Sequence, residues 1–158
     1  MNATDTATQR GRPTVWMPGK SNPRERPSTP AEIVAAAHAA APLVWRKHVG
    51  VDRRSNAAQA VRGALNLTRH RALDAIRRRN SRPVFSDAES DLLRAAEIQH
   101  RRMVWVHFFF RPREPDAARR ARCKEDTVTA LEIIDALVAA EKTAAGDTPH
   151  NPQPRESK

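Results

Sequence analysis

Two four-residue strings constrain the fold of this chain more than anything else in it: Thr29-Pro30-Ala31-Glu32 and Ser86-Asp87-Ala88-Glu89. Each pairs a hydroxyl side chain with a glutamate three residues on. The hydroxyl accepts from a freed backbone N–H while the glutamate reaches back to the cap, so each string opens a helix. Pro30 supports the first start, because a proline in the opening turn sacrifices no hydrogen bond. Beyond it Ile33, Ala37, Ala40 and Val44 recur at helical spacing. Pro42 is expected to kink this helix and Gly50 to end it. Beyond the second string, Leu92, Ala96, Gln99, Met103 and Val106 mark one face. The run MVWVHFFF, Met103–Phe110, has the composition of a buried strand, but no partner strand is visible elsewhere. Helix is therefore the expectation, with a stop at Arg111-Pro112.

Two further helices follow from pattern. Val128, Leu131, Ile134 and Val138 recur at helical spacing, in a helix that begins as early as Pro115. The other lies in SNAAQAVRGALNLTRHRALDAIRRRN, Ser55–Asn80, closed before Pro83. The chain thus predicts an all-α fold, a bundle of about four helices over residues 29–145. Residues 1–28 carry Pro13, Pro18, Pro23 and Pro27 among polar residues and read as a disordered basic arm. Residues 146–158 read as a disordered tail. Aromatic residues make up only 4% of the chain and there is no tyrosine, so alanine must fill much of the core.

Charge narrows the function. Lys and Arg total 28 against 18 Asp and Glu, a formal net charge of +10. That balance favours an anionic partner, nucleic acid before membrane. The surplus is concentrated: Ser55–Arg82 holds seven arginines against one aspartate, whereas Pro83–Phe110 is net −1. Arginine's planar fork suits phosphate better than lysine's point charge. The single cysteine, Cys123, excludes an internal disulfide and a thiolate zinc cluster. The opening MNATDTATQR lacks the apolar core of a signal peptide, and MVWVHFFF is too short to span a bilayer. A soluble, cytoplasmic protein with no membrane partner is the expectation.

Ser55–Asn80 admits two readings. As one helix at about 100° per residue, Val61, Ala64, Leu65, Thr68, Ala72, Ala75 and Ile76 form a core-facing arc. Gln59, Arg62, Asn66, Arg69, His70 and Arg77 then fall on an adjacent arc of hydrogen-bond donors, a rod that tracks phosphates. Leu67 and Leu73 sit off the apolar arc. A turn at Asn66 would free them, with Leu67 plugging the corner and Thr68 capping a second helix. The string LNLTR followed by a basic helix resembles the turn of helix-turn-helix proteins. That resemblance implies Arg69, His70 and Arg71 in a major groove. Arg62 departs from the family's pattern, occupying a position that is normally small.

Other motifs were weighed on their chemistry. Arg10-Gly11-Arg12-Pro13 resembles the core of an AT-hook, which implies Arg10 and Arg12 on the floor of a narrow minor groove. Pro18-Gly19-Lys20-Ser21 fails as a phosphate-binding loop, because Thr14 replaces its leading glycine and Asn22-Pro23 blocks its helix. His100 and His107 lie two helical turns apart, too far to share a metal. Asp87, Glu89 and Asp91 suit a helix N-terminus. No nucleophile–base set presents itself, so the chain is expected not to be an enzyme and to need no cofactor, metal or small-molecule substrate. Phe108, Phe109 and Phe110 cannot all face one core, which points to an interface with other protein subunits.

Taken together, the nucleic-acid-binding candidates are Arg53, Arg54, Arg62, Asn66, Arg69, His70, Arg71, Arg77, Arg78, Arg79 and Arg82, with Arg10 and Arg12 assisting from the arm. In size, charge and helical content the chain resembles the small subunits of multi-subunit CRISPR effector complexes. That resemblance implies a non-catalytic ribonucleoprotein component of antiviral defence, holding RNA or DNA by its backbone without reading it. The alternatives are a helix-turn-helix regulator or phage-type DNA-packaging adaptor, and a helical scaffold that binds other chains through Phe108–Phe110.

Overall fold

A computed structural model describes residues 29–79, 84–104, 108 and 111–146. They form four packed helices: α1 (Pro30–Trp45), α2 (Val51–Arg79), α3 (Asp87–Arg102) and α4 (Asp116–Gly146). No described residue is in a strand. The arm, the tail, Arg82, Trp16, Trp105, His107, Phe109 and Phe110 lie outside the described residues. Among the described residues no helix is long and apolar enough to cross a membrane.

Both capping boxes form. Glu32 N–H donates to Thr29 Oγ1 at 3.2 Å and Thr29 N–H to Glu32 Oε2 at 3.0 Å. Ser86 and Glu89 repeat the exchange at 3.2 and 2.9 Å. Helix α1 ends at Trp45, five residues before Gly50, with Arg46 as its C-cap. The Arg54 guanidinium explains the early stop, because it donates to the Arg46 and Lys47 carbonyls at 2.6 and 3.0 Å and so satisfies the chain end. Gly50 instead opens α2, its carbonyl accepting from Arg54 N–H at 3.1 Å.

Helix α2 is continuous for 29 residues, about 43 Å at 1.5 Å per residue. There is no turn at Asn66. Thr68, a capping candidate in the two-helix reading, is fully buried and donates to the Ala64 and Leu65 carbonyls from inside the helix. The expected core arc is buried along most of its length, at Val61, Ala64, Leu65, Thr68, Ala72 and Ile76. Leu67 is half-buried against the same core, which removes the need for a corner to hide it. Helix α2 lies at the centre, packed mainly on α4 and α1 and more sparsely on α3.

Among the described residues, eleven of the 22 buried apolar side chains are alanines. The larger side chains that fill the space between them are Ile33, Leu65, Ile76, Met103, Phe108, Ile134 and Leu137. Trp45 packs at the edge of this cluster.

Two expectations about helix extent and face are corrected. Helix α3 stops at Arg102, not at Arg111-Pro112, with Met103 as C-cap. Its last turn tightens as Val104 N–H donates to Arg101 at 3.2 Å, and Phe108 N–H then donates to Val104 at 3.0 Å. Met103 and Phe108 are both buried, yet on one straight helix they would lie about 140° apart. The break lets both reach the core. Phe108 is thus a core residue with no exposed surface. On α4, Val128 is 39% exposed, because the buried face runs through Cys123, Thr127, Ala130, Ile134 and Leu137. Cys123 donates its thiol to the Phe108 carbonyl at 3.4 Å, and burial holds that thiol above its ordinary range.

Candidate nucleic-acid interface

The continuity of α2 decides where its cations point. At about 100° per residue, Arg62, Asn66, Arg69, His70 and Arg77 share one side, with Gln59 among them. His70, Arg77 and Gln59 are exposed, and Arg62, Asn66 and Arg69 are half-buried. Arg53, Arg71 and Arg78 lie at about 160–180° from Arg62, on the opposite side. Arg53 and Arg78 are exposed there, Arg78 Nε bonding to the Asp74 carbonyl at 3.2 Å.

Several candidates on α2 have structural partners. Arg54 closes the end of α1, as described. Arg71 grips Glu141 of α4 with Nε at 3.1 Å and a terminal nitrogen at 2.8 Å from Oε1. Arg79 holds Glu89 of α3 at 2.9 and 3.3 Å. The Arg79 hydrogen bond, joined by the Ser86 backbone N–H, keeps the Glu89 carboxyl below its usual range. These guanidiniums pin helices together, so the free cationic surface is smaller than the arginine count suggests.

Further along the side facing α3 the pairing is looser. Arg69 meets Glu97 at 3.3 Å, while Glu97 also accepts from Arg101 at 2.6 Å. The pairs Arg79–Glu89 and Arg69–Glu97 set α3 antiparallel to α2. Ten residues on α2 and eight on α3 separate them, about 15 Å and 12 Å of helix. Continuing that register places His100 between Arg69 and Arg62. Burial, followed by the charges of Arg62, Arg69 and His70, pushes the His100 pKa below its ordinary 6.5. The Nε atoms of Arg62 and Arg69 are buried with no hydrogen-bond partner among the described residues.

A second group of cations lies along α3 beside α4, with Arg102 3.9 Å from Asp126, and segment charges conceal it. Arg94, Ile98, Arg101 and Arg102 are exposed there, Ile98 by 50%. Ile98, Arg101 and Arg102 line an open cavity of about 530 Å³ with Arg111, Arg122 and Asp126. The signal was the spacing of Arg94, Ile98, Arg101 and Arg102, which share a helix face while Glu89 and Glu97 turn toward α2. Arg122 contributes little free charge, since Glu114 accepts from it at 2.9 and 2.8 Å.

Arg10, Arg12 and Arg82 lie outside the described residues, as do Phe109 and Phe110. Among the described residues no three His, Cys, Asp or Glu side chains converge as a metal site would require. In comparisons with known proteins, no family model, no curated protein and no solved structure matches this chain.

Proposed function

We propose that this protein binds nucleic acid through the phosphate backbone, without catalysis, as a helical component of a larger nucleoprotein assembly. The observation that carries the reading is the unbroken side of α2 from Gln59 to Arg77. Arg62, Asn66, Arg69, His70 and Arg77 lie along it, and no carboxylate of α2 interrupts that row. Arg62 and Arg77 are about 22 Å apart along the helix, long enough to meet several successive phosphates. Phosphate contacts along such a helix set its register on a strand and carry no sequence information themselves. The helix-turn-helix reading would need a turn at Asn66, and α2 has none there. The small subunits of CRISPR effectors remain the assembly class this surface would suit.

The test is a salt titration of binding to a fluorescent oligonucleotide, comparing the full chain with R62Q/R77Q. Loss of two phosphate contacts should reduce the slope of log K against log salt by about 2, alike for unrelated sequences. An unchanged slope, or a loss confined to one base sequence, would sink the reading.

A further inference from the structure

The side of α2 that faces α3 carries more than fixed charge. The stem of Arg62 is packed, since its Nε is buried, and among the described residues its guanidinium has no acceptor. A packed stem loses less rotamer freedom when the fork meets a ligand. Arg69 is held similarly, with Glu97 as a partner shared with Arg101. From α2, His100 faces Arg62, Arg69 and His70. On its own helix the nearest charged groups in sequence are Glu97, Arg101 and Arg102. One carboxylate therefore serves Arg69 and Arg101 while Arg62 has none, and a half-buried imidazole sits among them.

We propose that the place where His100 meets Arg62, Arg69 and His70 between α3 and α2 is a phosphate site in which His100 takes up a proton as a nucleic-acid phosphate docks. This rests on the backbone-binding reading above and adds a pH dependence to it. The physical cause is a reversal of sign. Without ligand, burial and the neighbouring charges lower the His100 pKa from its ordinary 6.5. A docked phosphate offsets those cations and accepts a hydrogen bond from the imidazolium. Between the free and bound titration points the complex holds more protons than the separate molecules, so affinity rises as pH falls. One proton gives at most about tenfold per pH unit. The diester phosphate keeps its charge throughout, so the slope belongs to the protein.

The experiment follows binding of the full chain to a single-stranded oligonucleotide at fixed salt, from about pH 7.5 to about pH 5.5. The wild-type affinity should rise severalfold over that range. H100Q should lose most of that rise. Ring-proton NMR of His100 gives a second readout: its titration should move to higher pH when the oligonucleotide is added. R62Q without any ligand should move it the same way, because one repelling charge is gone. Equal pH dependence in H100Q, or a His100 signal that ignores bound oligonucleotide, overturns the proton-uptake site and leaves backbone binding standing. Absence of binding at every pH overturns both.

Discussion

Arginines of helix α2 end in opposite states: Arg71 and Arg79 are closed by carboxylates of α4 and α3, whereas Arg62 and Arg69 are left open or shared. Toward α4, Arg71 is closed by Glu141 in a two-pronged pair, with side chains 34% and 16% exposed. Toward α3, Arg62 has no acceptor among the described residues and Arg69 shares Glu97 with Arg101. Residue type and helix are the same, so position relative to the partner's carboxylates makes the difference. A count of basic residues measures what a helix can offer. The pairing pattern determines what is left for a ligand.

The largest effect that tests this contrast is on stability. R71A strands the Glu141 carboxylate against α2 and should cost about 2 kcal/mol in urea unfolding, less than for a fully buried pair. R62Q should stay within about 0.5 kcal/mol, because it strands nothing. If both cost the same, the two sides are not distinct. Next comes the Arg79–Glu89 bridge, which belongs to the closed class. The Glu89 pKa is lowered from an ordinary 4.5, so its stabilisation is present above about that pH and lost as pH falls through the folded value. In E89Q the urea midpoint should therefore fall less steeply below pH 4.5 than in the wild type, and parallel curves would remove the bridge from the argument. The smallest effect concerns an arginine that strains the fold. Arg113 has φ 68° in the turn closed by Glu114 N–H donating to the Arg111 carbonyl at 3.2 Å. Glycine suits that position, so R113G should gain roughly 0.5 kcal/mol in thermal unfolding.

Local rules made much of the architecture legible. The two capping boxes fixed the starts of α1 and α3, and the spacing of Ile33, Ala37, Ala40 and Val44 identified the buried side of α1. The arc from Val61 to Ile76 was readable because α2 is straight. What was not legible depended on distant partners. Glu141 lies 70 residues from Arg71, and no spacing rule connects them. The end of α3 follows from two buried side chains, Met103 and Phe108, that a continuous helix would separate. The exposure of Val128 was not legible from its spacing, because the buried face of α4 mixes small residues, Thr127 and Ala130, with the branched Ile134 and Leu137. For the candidate site, the shared side of Arg62, Asn66, Arg69 and His70 was visible in sequence. The contribution of His100 was not, since it comes from the antiparallel register of another helix.

The alanine-built interior has a thermodynamic consequence. A methyl side chain removes little hydrocarbon from water, so melting this bundle exposes less apolar area per residue than a core of leucine and phenylalanine would. The heat-capacity increment of unfolding scales with that area. A smaller increment gives a broader, flatter curve of free energy against temperature, so cooling and warming erode such a molecule more gradually than a richly packed one.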